Sequence, residues 1–144
     1  MYDEMIVAPM RQELTRLGIQ ETKTASDVDA VLGDRKGTVL LVVNSVCGCA
    51  AGMARPAVGL ALEHSVLPDR MMTVFAGNDV EATARARGYL VGYRPSSPSI
   101  ALFRDGEVVK VIERWQIEGR EPWDIASELT AAFDQFCQKQ AVNQ

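Results

Sequence analysis

The chain has 144 residues, 47% of them hydrophobic and 24% charged, the balance of an ordinary globular domain that can bury a core without staples. A net charge of -4, with Lys and Arg scattered as singles, excludes the basic field that nucleic acid needs, so no nucleic-acid partner is expected. No apolar run approaches the ~18 residues of a membrane span, and the start Met1-Tyr2-Asp3-Glu4 is acidic where a signal peptide is basic, so we expect no membrane association and a cytoplasmic location.

In chain order, Met5, Ile6, Met10, Leu14 and Leu17 form a helical stripe that Gly18 ends. Ser26 or Asp27 can cap a short helix to Leu32, closed by Gly33. Thr38 to Asn44 is apolar and β-branched, as a strand buried on both faces is. After the turn Val46-Cys47-Gly48-Cys49, the Ala, Leu and Met content of Ala50 to His64 predicts a helix, kinked where Pro56 lacks an N–H. Met71 to Ala76 is a second buried strand, and Asn78 or Asp79 caps a helix through Arg87. Ser99–Arg104 and Glu107–Ile112 are strands joined by Asp105-Gly106, a hairpin turn signal. Pro122 opens a last helix along Ile125, Leu129, Ala132, Phe133 and Phe136. This order predicts one α/β domain over residues 1–144 with a thioredoxin-like fold, a mixed central sheet with helices on both faces. The hairpin argues against a flavodoxin-like wrap or an unrelated α/β sandwich.

Cys47 and Cys49 sit where the strand hands over to the helix. The first N–H groups of a helix have no internal partner, and the positive end of its dipole favours a thiolate. A thiolate is the nucleophile of disulfide exchange. In a reducing compartment paired thiols are catalytic or metal-binding more often than structural. Zinc wants four N or S ligands, and the chain offers only His64 and Cys137 besides this pair, so no resident metal is expected. One intervening residue closes a smaller ring than a Cys-x-x-Cys pair would, and Gly48 is the residue type that permits the bend. A tight ring is readily reduced, which suits a thiol acceptor better than a strong reductant. Cys47, which leads the helix, should be the more exposed and reactive of the two.

The block Asn44-Ser45-Val46-Cys47-Gly48-Cys49-Ala50-Ala51-Gly52-Met53-Ala54-Arg55-Pro56 closely resembles the signature of the bacilliredoxins, thioredoxin-like proteins with a Cys-Gly-Cys site. The Tyr2-Asp3 start, the Pro95–Ser99 loop and the Trp115 region extend the resemblance over nearly the whole chain. It implies removal of bacillithiol, a low-molecular-weight thiol and here a co-substrate, from S-thiolated proteins, with no resident cofactor. Cys47 would attack and take up the thiol; Cys49 or free bacillithiol would resolve the adduct. X-Pro bonds in folded proteins are cis in only ~5–6% of cases. The resemblance reverses this for Ser97-Pro98, because thioredoxin-like proteins place a cis-proline loop against the reactive cysteine and pair the preceding backbone with substrate.

Asn44 and Ser45 lie close enough to hydrogen-bond a thiolate or incoming thiol, though Asn44 can equally just end its strand. Arg55 either meets the carboxylates of bacillithiol or is solvated. His64 is a surface residue too far away to act as a base. Cys137 is a packed small residue, and Trp115 and Trp123 are core and rim packing. The competing function is a cysteine-based metal-binding or regulatory module on the same fold.

Overall fold

The computed structural model describes residues 1–138. Helix α1 (Glu4–Thr15), the short strand β1 (Gln20–Glu21) and helix α2 (Ala25–Leu32) lead into strand β2 (Thr38–Asn44). A π-helical turn (Ala50–Ala54) and helix α3 (Arg55–Ala61) connect it to β3 (Arg70–Phe75). Then follow α4 (Val80–Gly88), β4 (Ser99–Arg104), β5 (Glu107–Ile112), α5 (Arg114–Ile117) and α6 (Pro122–Phe136). The sheet has the order β1-β3-β2-β4-β5, with β3 parallel to β1 and β2, and β4 antiparallel to β2 and β5. This is the thioredoxin-like arrangement.

Strand β2 is central and buried at every position, which is why its sequence runs apolar instead of alternating. Its period of two still sorts the side chains. Leu40 and Val42 enter a core with residues of α3 and α6, whereas Val39, Leu41 and Val43 pack with α2 and α4. Helices thus cover both faces of the sheet. No helix of the described residues is long and apolar enough to cross a membrane.

The structure corrects several local expectations. Helix α1 buries Val7, Arg11 and Leu14, while Met5 and Ile6 are 85% and 55% exposed. Its inner face is offset from the apolar stripe because a buried arginine occupies the middle of it. Helix α2 is capped by Thr24, whose hydroxyl accepts the Asp27 N–H at 3.0 Å, and not by Ser26 or Asp27. Asp79 precedes α4 without capping it, its carboxylate instead accepting from Arg11 and from the Phe75 N–H. The helix expected from Ala50 to His64 is not a single kinked rod. The Arg55 N–H reaches back five residues to the Ala50 carbonyl, a π turn placed just before Pro56, which has no N–H to donate. Trp115 and Trp123 are 71% and 60% exposed and pack in no core. Strand β1 and helix α5 are too short to leave a periodic signal.

Candidate active site

Strand β2 ends at Asn44, and the chain turns into helical backbone from Gly48 onward. Cys47 therefore stands at the N-cap. Its carbonyl accepts the N–H groups of Ala50 and Ala51 at 2.9 and 3.2 Å, and its Sγ accepts the Cys49 N–H at 3.4 Å. Sulfur takes the place of the oxygen with which Ser or Asp usually caps a helix. Two otherwise unpartnered donors, the N–H groups of Cys49 and Ala50, thus end on Cys47, one on its sulfur and one on its carbonyl.

The two thiols face each other with Sγ atoms 2.8 Å apart, and both are free. Their environments push them in opposite directions. Cys47 is half-buried, and its pKa is held below the usual thiol value chiefly by the hydrogen bond from Cys49, with help from the Cys49 N–H and the Arg114 charge. Cys49 is 7% exposed and packs with the α3–α6 core. Burial, and then its bond to Cys47, push its pKa up to about 11. Of the two, Cys47 is the more readily ionised, an asymmetry of the kind that stepwise thiol exchange uses.

A groove of about 510 Å³ opens beside Cys47, lined also by Tyr2, Ser45, Val46, Ser97, Arg87 and Arg114. The Ser97–Pro98 peptide is cis, and Ser97 and Cys47 share the groove wall. Pro98 itself is buried behind it. Tyr2 is held over the site by reciprocal bonds with Asn78: the Tyr2 N–H donates to Asn78 Oδ1 at 2.8 Å and Asn78 Nδ2 donates to the Tyr2 carbonyl at 2.9 Å. Gly77 permits this approach, since it has φ +93° and a Cβ there would lie 3.1 Å from Tyr2 Cε2.

The remaining residues singled out in the sequence fall into two groups. Ser45 Oγ accepts the Cys47 N–H at 3.2 Å and so positions the thiol's own backbone. Asn44 is buried and does not line the groove; its Oδ1 accepts from the Ser45 N–H and from Arg55, and its Nδ2 donates to the Met10 carbonyl. Arg55 is neither solvated nor facing a ligand. Its guanidinium is 2% exposed and bonds Asn44 Oδ1, the Ser45 carbonyl and Glu13, anchoring the turn that presents Cys47. Gly48 is exposed and outside the groove lining; its φ is not positive and a Cβ would meet nothing, so this conformation does not demand glycine there. His64 pairs with Asp134 on the surface. Cys137 is buried, its pKa raised by burial, and it touches Thr38 at the opposite end of β2 from the thiol pair. Sequence reasoning gave no site role to Tyr2, Val46, Ala76, Gly77, Arg87 and Arg114, all of which line the groove. Arg114 lies next to the Trp115 region that looked familiar, but nothing in the spacing of Arg87 marks it.

Comparison with known proteins agrees with this geometry. The family model described as Disulphide isomerase matches residues 2–137. A bacilliredoxin of Koribacter versatilis is 55% identical over 137 residues, covering 95% of this chain and 94% of its own. A bacilliredoxin of Staphylococcus aureus is 49% identical over 139 residues, covering 96% and 95%. Among solved structures, Fasciola hepatica thioredoxin superposes with a TM-score of 0.57 at 18% identity, over 82% of this chain and 99% of that one. Mitochondrial thioredoxin 3 of Saccharomyces cerevisiae does so with a TM-score of 0.56 at 12% identity, over 83% and 96%. At such identities the structural likeness speaks for the fold alone. The near-complete sequence matches carry more: with a thiol-disulfide oxidoreductase role to go with its thioredoxin fold, the chain belongs to the bacilliredoxin family.

Proposed function

We propose that this protein removes bacillithiol, or a similar low-molecular-weight thiol, from mixed disulfides on proteins in the cytoplasm, as a single thioredoxin-like domain. The observation that carries the reading is the contact of two free thiols at a helix N-terminus, one half-buried beside a groove of small-ligand size and the other in the core. The Cys47 thiolate attacks the sulfur of the small thiol in the mixed disulfide. A new S–S bond forms to Cys47 as the old one breaks, and the protein substrate leaves as a thiolate that takes up a proton from water. Cys49, its Sγ already against Cys47, then loses its proton and attacks Cys47 Sγ, expelling the small thiol as thiolate and leaving a Cys47–Cys49 disulfide. Two electrons from further low-molecular-weight thiol return the pair to the dithiol. The groove and the Ser97 backbone orient the incoming disulfide, a contribution of position and not of proton transfer.

A metal held at the pair would have only these two protein ligands, because among the described residues no three His, Cys, Asp or Glu side chains converge. Mass spectrometry of the protein incubated with a bacillithiolated substrate tests the mechanism. The Cys49→Ala variant should accumulate a bacillithiol adduct on Cys47, and Cys47→Ala should transfer nothing. Full turnover by Cys47→Ala, or a stoichiometric metal on the purified wild type, would sink it.

A further inference from the structure

Two guanidinium groups stand in the groove wall, and apart from the Arg114 charge that helps lower the Cys47 pKa, neither is used in the exchange steps. Arg87 lies in the last turn of α4, and its Nε is buried with no hydrogen-bond partner, the one buried side-chain polar atom so placed among the described residues. Burial alone lowers its pKa, with no carboxylate to offset it. An enclosed charged donor without an acceptor carries a cost that a bound anion would remove. Arg114, the first residue of α5, is only loosely engaged. Its Nη1 lies 3.3 Å from the Ser97 carbonyl and its Nε 3.6 Å from Glu118. Both arginines line the same groove as Cys47, and no acidic residue does.

From this juxtaposition we propose that Arg87 and Arg114 form a carboxylate-binding subsite that seats an acidic low-molecular-weight thiol with its sulfur at Cys47. The proposal rests on the small-thiol exchange reading above and adds to it the residues that select the thiol by its charge. Guanidinium groups bind carboxylates in a fixed, bidentate geometry and so impose an orientation as well as an attraction. The groove volume of about 510 Å³ suits a free small molecule. We therefore assign the carboxylate to the thiol itself and not to an acidic side chain of the protein substrate. Arg55, the arginine nearest the cysteines in sequence, is excluded because it does not line the groove, and its buried Nε and Nη1 are bound to Glu13, Asn44 and the Ser45 carbonyl.

Two aromatic disulfides separate attraction from intrinsic reactivity: 5,5′-dithiobis(2-nitrobenzoate), which carries carboxylates, and the neutral 2,2′-dithiodipyridine. The reduced protein is mixed with each in stopped flow, and the ratio of the two second-order rates is compared among wild type, Arg87→Gln, Arg87→Lys and Arg114→Gln. The ratio should fall about tenfold in Arg87→Gln, fall severalfold in Arg114→Gln, and recover partly in Arg87→Lys. Because Arg114 is exposed, its variant keeps the test decisive if Arg87→Gln melts at a much lower temperature. An unchanged ratio in both Gln variants overturns the subsite and leaves the exchange reading standing. A carboxylate preference seen only with acidic peptide disulfides, and not with the small probe, overturns it as well. Failure of Cys47 to react with either probe overturns both readings.

Discussion

Cys47 and Cys49 are chemically identical with one residue between them, yet their surroundings push their pKa values in opposite directions. The difference comes chiefly from their mutual hydrogen bond, which lowers Cys47, and from burial, which raises Cys49; the helix that begins between them offers the Cys49 N–H to one sulfur and carries the other into the core. Because the Cys47 pKa is lowered, its thiolate persists below the usual thiol range, and its reaction rate should fall only as pH drops through that lowered value. Cys49, with a pKa of about 11, should stay inert until strongly alkaline pH. Rates of iodoacetamide alkylation followed by peptide mapping across pH should show Cys47 reacting first, with a midpoint below that of a free thiol. In Cys49→Ala the Cys47 midpoint should move upward, since the Cys49 thiol is the largest cause of the lowering. A midpoint that stays put would assign the lowering to the backbone donors instead. At this scale the placement of the two thiols was legible in the sequence, because an apolar strand run and a helix-forming run flank them directly. The fate of Arg55 was not, since the same arginine could be solvated, ligand-facing or buried until its partners are known.

Elements were legible in proportion to their length. Strand β2 has the bounds that its apolar run suggests, and the β4–β5 hairpin turns at Asp105-Gly106, where φ is +51° and +87°. Both central residues of such a turn need positive φ, which explains the Asp-Gly pair. A Cβ on Gly106 would also lie 2.7 Å from Arg35 Cβ. Gly106→Ala should therefore destabilise the protein by about 1–3 kcal/mol, read as a lower denaturant midpoint with unchanged slope. The thiol pair lies at the other end of β2, so alkylation of Cys47 in the native state should be unaffected. A neutral substitution would mean that the hairpin tolerates a different turn. The two-residue β1 and the single-turn α5 are too short for any period to register, and α5 nevertheless delivers Arg114 to the groove.

At the scale of the whole molecule, one arginine connects segments far apart in the chain. Arg11, 6% exposed, bonds Asp79 through two nitrogens at 2.8 and 2.9 Å, reaches Glu4 and Glu21, and lies over the Phe75 ring. It thereby ties α1 to β1 and to the loop that follows β3, next to the residues that hold Tyr2 over the groove. Replacing Arg11 with Ala would leave the buried Asp79 carboxylate without its counter-charge, and loss of one partner of a buried pair costs about 3–5 kcal/mol. Urea unfolding of Arg11→Ala should show a loss of that size; a change under 1 kcal/mol would show that water replaces the guanidinium readily. The sequence by itself determined the central strand, the hairpin, the order of the longer elements and the place of the two thiols, because these follow from local periodicity and turn chemistry. The tertiary structure alone decided which charged side chains are buried supports and which face the groove. A guanidinium on a long side chain finds its partners across the fold, 68 residues away for Arg11 and Asp79, and burial is a property of the packed whole.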